Sequence, residues 1–164
     1  MKLNSSTIVG DKKLIMPLNW IHKKFDELSA SELYAIMQLR NEVFVVEQNC
    51  VYQDADDKDQ PSLHLCGWDG EKLVAYTRII PKGISYTEVS IGRVVTSPAY
   101  RGTGAGRQLM KESINLAFSM FNCTQIKIGA QIYLTEFYQS LGFTACSPEY
   151  LEDGIPHIEM ILHK

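Results

Sequence analysis

The stretch Val94-Val95-Thr96-Ser97-Pro98-Ala99-Tyr100-Arg101-Gly102-Thr103-Gly104-Ala105-Gly106-Arg107 constrains this chain more than any other. Its β-branched start reads as the end of a strand, stopped at Ser97-Pro98. Three glycines then fall within five positions. Leu109, Met110, Ile114, Ala117 and Phe121 follow at the spacing of one helix face. Glycine lets such a turn take positive φ and bring its backbone close to a ligand. The first amides of the helix lack partners and carry the positive end of its dipole, so the turn suits an anion such as a pyrophosphate. Arg101 and Arg107 add charge of the right sign. Other phosphate loops fit poorly. A Walker A loop ends in Gly-Lys-Ser/Thr, whereas this turn ends in Gly106-Arg107-Gln108. A dinucleotide fingerprint begun at Gly102 or Gly104 meets Arg107 or Leu109 where it needs a small residue. A tight turn that binds nothing is the bland alternative, and Arg101-x-x-Gly104-x-Gly106 directly after a β-branched strand speaks against it.

At 164 residues the chain has room for one domain, expected over residues 17–164, with residues 1–16 as an N-terminal extension. Sixteen basic against nineteen acidic side chains give a net charge of −3. That balance excludes the basic stripe of a nucleic-acid surface and a polybasic membrane patch. No run approaches the roughly 20 apolar residues that span a bilayer. Met1–Asp11 is polar and lacks the apolar region of a secretory signal, so the cytoplasm is the expected compartment. The cysteines Cys50, Cys66, Cys123 and Cys146 are scattered and form no C-x-x-C pair. They read as reduced, mostly buried thiols rather than a disulfide framework or a zinc site.

Local patterns give the element order. Trp20–Phe25 alternates as a first strand, and Ser29-Ala30-Ser31-Glu32 is a capping box opening a helix that runs into the Arg40–Val45 region. Leu63–Trp68 and Leu73–Ile80 read as a hairpin about Asp69-Gly70, and Val89–Thr96 as the next strand. After the long helix come a strand at Ile126–Ile128, a short helix over Leu134–Leu141 ending at Gly142, and strands at Phe143–Cys146 and Ile158–Leu162 around Asp153-Gly154. The order implies an α+β fold rather than a doubly wound one. The run Asp54-Ala55-Asp56-Asp57-Lys58-Asp59 lacks the glycine and glutamate of a calcium loop, so it reads as a solvated acidic loop and no metal is expected.

Arg101-x-x-Gly104-x-Gly106 resembles the signature with which the GNAT superfamily of N-acetyltransferases binds acetyl-CoA. Phe137-Tyr138-Gln139-Ser140-Leu141-Gly142-Phe143 resembles that superfamily's second hallmark, F-Y-x-x-x-G-F. Leu39–Gln48, Ile91–Val95 and Glu149–His157 are similar to the ElaA-like branch. The resemblance spans nearly all of residues 17–164. It implies a three-layer fold with a mixed, mostly antiparallel sheet between helices, and a cofactor site at Val94, Val95, Thr96, Arg101, Gly102, Thr103, Gly104, Ala105, Gly106 and Arg107. It also implies transfer of an acetyl group from acetyl-CoA to a primary amine of a small molecule or peptide, and it allows a homodimer.

Such chemistry must deprotonate the amine, stabilise the thioester oxygen and receive the departing thiolate. By resemblance the oxygen falls to a backbone amide in Val94–Thr96, that of Val95, and the thiolate to Tyr138. Glu88, at the start of the same strand, is the candidate base; a solvent-facing strand-end carboxylate is its plain alternative. His157 could serve instead. Arg40, Glu47, His64 and His157 are candidates for the acceptor cleft, against readings of Arg40 and Glu47 as a charged helix end and of His64 as a satisfied core histidine. A non-catalytic acyl-CoA-binding module would share the glycine turn and differ at Tyr138 and the acceptor cleft.

Overall fold

A computed structural model of the chain describes residues 17–164; the expected extension at residues 1–16 lies outside them. Eight strands form one sheet: β1 (Asn19–Lys24), β2 (Leu63–Asp69), β3 (Lys72–Ile80), β4 (Val89–Thr96), β5 (Gln125–Gln131), β6 (Thr144–Ala145), β7 (Tyr150–Glu152) and β8 (Ile155–His163). Their order is β1-β2-β3-β4-β5-β8-β6, with β7 pairing β8. Every contact is antiparallel except β4 with β5. Helix α1 (Ala30–Arg40) starts at the expected capping box: the Ser29 hydroxyl accepts from the Glu32 amide, and the Glu32 carboxylate accepts from the Ser29 amide. It runs on as a π-helical turn over Asn41–Glu47. Helices α2 (Ala105–Phe121) and α3 (Thr135–Gln139) complete the layers.

The two sides of the sheet bury different sets. Ile36, Leu39 and Val43 pack on Leu73, Tyr76 and Val95. Leu109, Met110 and Ala117 of α2 pack on Ala75, Ile79, Val89, Ile91 and Ile126. One strand changes sides. Val89 and Ile91 of β4 face α2, and strict alternation would send Val95 the same way. Instead Val95 lies with α1. The cause is a bulge: Tyr76 pairs Val95 and Arg78 pairs Gly92, so Thr77 opposes two residues, Arg93 and Val94. Arg93 takes φ +52° there, a left-handed conformation that costs a side-chain-bearing residue roughly 1–2 kcal/mol.

The acidic run expected to be a solvated loop is instead partly interior. Asp54 and Asp59 are buried, and they meet the buried Arg40 and Arg78. Arg40 donates to Asp54 at 2.8 Å and Asp59 at 2.7 Å; Arg78 donates to Asp56 at 2.6 Å and Asp59 at 2.9 Å; Arg93 donates to Asp54 at 2.7 Å. Three arginines thus balance three aspartates, which is the condition for keeping charges inside a protein. The thiol expectation is also modified. All four cysteines are free, but Cys146 is exposed; Cys66 is buried, and burial pushes its thiol up to about 12. Among the described residues no helix is long and apolar enough to cross a membrane.

Burial alone would raise the Asp56 carboxyl, but hydrogen bonds and charge from Arg78, reinforced by Arg93, hold it at about 2. Asp59 is lowered in the same way by Arg40 and Arg78. A carboxyl depressed in the folded state contributes stability above its ordinary value of 3.8, and that stability is lost as the pH falls through the folded value. Calorimetric melting should therefore show Tm falling steeply between about pH 4 and pH 2. Asp56→Asn should lower Tm at neutral pH and flatten that acid limb; an acid limb as steep as that of the unaltered protein would clear Asp56 of responsibility.

Candidate functional site

Strands β4 and β5 pair at only two positions, Val89 with Ile126 and Ser90 with Lys127, and then part. The wedge between them holds a cavity of about 990 Å³. Gly102, Gly104, Gly106, Arg101 and Arg107 line one region of it, Val94, Val95 and Thr96 flank it along β4, and Tyr86, Gly129, Glu152, Asp153 and His157 line another.

The glycine turn has the expected backbone. Gly102 and Gly104 take φ +72° and +92°, and Gly104 caps α2 from the left-handed region. The Gln108 amide donates to the Gly104 carbonyl at 3.0 Å, so the amides of Gly106 and Arg107 precede the first helical bond and remain for a ligand. A Cβ on Gly106 would stand 3.8 Å from the Thr96 methyl, which measures how closely α2 approaches β4. Ala105 and Thr103 contribute differently. Ala105 is buried with Leu109 under the turn, and the Thr103 hydroxyl donates to the Tyr100 carbonyl at 2.6 Å, tightening the bend from within. Arg107 donates to the Ser140 hydroxyl at 2.7 Å across Phe137. Arg101 makes a bidentate pair with Glu47 at 2.6 and 3.0 Å, joining a cofactor candidate to an acceptor candidate at the cavity wall.

Strand geometry turns the amide expected at Val95 away from the open edge of β4. The Ser97 amide donates to the Val74 carbonyl at 2.8 Å, toward β3. Amides alternate edges along a strand, so that of Val95, opposite Tyr76, also faces β3. The amides of Val94 and Thr96 therefore face the open edge, where β5 has withdrawn.

Tyr138 packs in the same core cluster as Val89 and Ile126. Its ring is buried edge-on between Phe137 and Phe143, yet it lines the cavity. Burial pushes its phenol well above the usual tyrosine value, so it keeps its proton. His157 also lines the cavity. Its Nδ1 lies 2.8 Å from the Ile155 carbonyl, which can only accept, so Nδ1 is the nitrogen that carries the hydrogen in the neutral ring.

Three sequence candidates stand elsewhere. Arg40 is fully buried, with its guanidinium spent on Asp54 and Asp59, and it does not line the cavity. His64 is buried between the Tyr76 hydroxyl at 2.8 Å and the Asp59 carbonyl at 2.9 Å; burial lowers it, and both ring nitrogens are committed. It is the satisfied core histidine, and the acidic run folding back over both residues removes them from the cleft. Glu88 precedes the paired, closed end of the wedge, accepts from the Thr87 hydroxyl at 2.9 Å and is absent from the cavity wall. Other lining residues escaped the sequence reading. A Cβ on Gly129 would fall 2.8 Å from the Tyr150 hydroxyl and 3.0 Å from that of Tyr86, so only glycine lets these phenols converge on β5. An isolated glycine inside a strand was the available signal. Arg93, a charge in a β-branched run, was another.

Residues 27–164 match the family model of the acetyltransferase (GNAT) domain. The chain is 45% identical over 145 residues to the protein ElaA of Escherichia coli, covering 87% of this chain and 95% of ElaA. A crystal structure of an acyl-CoA N-acyltransferase from Pseudomonas aeruginosa superposes with a TM-score of 0.84 at 43% identity, covering 88% of this chain and 99% of that one. The crystal structure of Escherichia coli ElaA gives the same TM-score and identity over 89% and 99%.

Gly104→Ala tests the turn. A Cβ there meets nothing within 4 Å, so the cost is the strain at φ +92° rather than a clash. Strain of about 1 kcal/mol or more should lower Tm by about 2–4 °C, and calorimetry with an acyl-CoA should show any affinity reduced roughly tenfold as the helix-start amides shift.

Proposed function

Because the chain belongs to the GNAT family of acyl-CoA-dependent N-acyltransferases, we propose that it moves an acetyl group from acetyl-CoA to a primary amine of a small molecule or peptide, by direct attack of the amine on the thioester. One observation carries this reading. A single cavity joins the anion-suited turn of Gly102–Gly106, the unpaired amides of β4 and the Tyr138 side chain.

The coenzyme's diphosphate sits at the start of α2, on the amides of Gly106 and Arg107, with Arg101 and Arg107 supplying charge. Its pantetheine arm runs along the open edge of β4 in place of the missing strand, a form of strand addition. The amides of Val94 and Thr96 then lie beside the thioester oxygen, where developing negative charge is best met by fixed donors in a site shielded from water. Tyr138 meets the leaving thiolate as a hydrogen-bond donor. Its raised phenol holds the proton firmly, so donation to the sulfur, more than complete transfer, is its contribution.

The base is His157 rather than Glu88. The Ile155 carbonyl fixes its tautomer, which leaves Nε2 to accept the ammonium proton. Glu152 and Asp153 on the same wall favour a cationic acceptor, in keeping with an amine that arrives protonated.

A screen of amines, polyamines, amino acids and peptides against acetyl-CoA, read by thiol release, tests the reading. Acceptor-dependent release is the expected result; tight acetyl-CoA binding with no release across the screen would favour a non-catalytic acyl-CoA-binding module. Against a working acceptor, Tyr138→Phe should lower kcat by about 10²–10³-fold, and an unchanged kcat removes the tyrosine from the chemistry. His157→Ala should lower kcat/KM by about 10²-fold, most severely for acceptors that are protonated at the assay pH.

A further inference from the structure

The geometry points to Arg93 as a positioning residue. Clamped by Asp54, its side chain holds the β4 bulge in the left-handed turn that aims the Val94 and Thr96 amides into the cleft. This rests on the acyl-transfer reading above for what those amides do, but not for how they are held.

Arginine has no backbone preference for φ +52°, and a regular β4 would relieve the residue of it. A regular strand would also shift every later residue to the opposite edge. The amides of Val94 and Thr96 would then turn toward β3, and that of Val95 would replace them at the cleft. Something other than the residue's own conformational preference must hold the bulge, and the side chain supplies it. Nε donates to Asp54 Oδ1 at 2.7 Å, and Nη2 donates to the Asp54 carbonyl at 3.1 Å and to Asp56 Oδ2 at 3.4 Å. The guanidinium lies 5.6 Å over the Tyr52 ring.

The anchor is itself immobile. Asp54 accepts from Arg40 of α1 at 2.8 Å and from the Tyr52 hydroxyl at 2.9 Å. Asp56 accepts twice from Arg78 of β3 at 2.6 Å. The bulge is therefore tied through one loop to α1 and to the neighbouring strand.

Arg93 also lines the cavity, so a direct contact with cofactor or acceptor is the competing explanation. Two substitutions separate them. Arg93→Gly removes the guanidinium yet accepts positive φ without strain, whereas Arg93→Ala removes the guanidinium and resists it. Both should lower Tm, since both lose the same ion pairs. Kcat with a working acceptor should fall about 10- to 100-fold in Arg93→Ala, while Arg93→Gly should stay within about threefold of the unaltered protein.

Equal kcat values in the two variants would overturn the proposal. If both fall, the guanidinium acts directly; if neither falls, the bulge needs no anchor. Should Arg93→Ala fail to fold, the Asp54→Asn variant and the Asp54→Asn/Arg93→Gly double variant make the same comparison. The double variant should recover kcat relative to the single one, and a double variant no better than the single one would reject the proposal. If the unaltered protein turns over no acceptor, the functional reading fails instead. Acetyl-CoA affinity by calorimetry, which the same amides serve, then replaces kcat: Arg93→Gly should bind more tightly than Arg93→Ala, and equal binding would count against the anchor.

Discussion

Strand β4 leaves β5 after Ser90 and Lys127, and the cleft exists because it leaves there. A sheet interior normally tolerates no unpaired edge, since each buried amide or carbonyl without a partner costs free energy. Here the edge is kept open from both sides. Strand β5 is committed to β8 along its full length, from Gln125 opposite His163 to Gln131 opposite His157. Strand β4 is committed to β3, and beyond its end the Gly104–Gly106 bend swings the chain into α2. What a ligand finds is half of a strand pairing already built, with an anion-suited helix start at one end.

Two kinds of ion pair surround that cleft, and they differ in consequence. The pairs among Arg40, Arg78, Asp54 and Asp59 are shut away from water, so removing one partner strands a buried charge and is severe. The Arg101–Glu47 pair is almost half exposed, where such pairs contribute roughly 0–1 kcal/mol. Arg101 is thus free to exchange Glu47 for a phosphate at little cost. The interior cluster gives the molecule its fixed geometry, and the surface pair leaves the entrance adaptable.

Much of this was legible in local patterns. The capping box at Ser29 and Glu32, the stop at Ser97-Pro98, the left-handed glycines and the apolar stripe of α2 all depend on neighbours within a few residues, and each formed as its letters imply. The strand at Tyr150–Glu152 was missed because its three residues gain their pairing only from β8. Residue chemistry without distance misled in two places. Arg40 read as an acceptor-cleft residue or a charged helix end, and the aspartate run read as solvated, because opposite charges that neutralise each other lie 14 and 19 residues apart. The resemblance named Val95 for the thioester oxygen, and the bulge that turns its amide toward β3 leaves no mark in a β-branched run beyond a single arginine.

The order of elements, the turn competent to hold an anion and the F-Y-x-x-x-G-F segment with its tyrosine were written in the chain itself, because short-range conformational preferences and family signatures are properties of contiguous residues. Which amides face the cleft, which histidine reaches it and which is sealed in the core, and where Glu88 falls were decided only by tertiary structure. The reason is physical: a one-residue bulge and a folded-back loop change which edge or face a group presents, and both are stabilised by contacts between residues far apart in the chain.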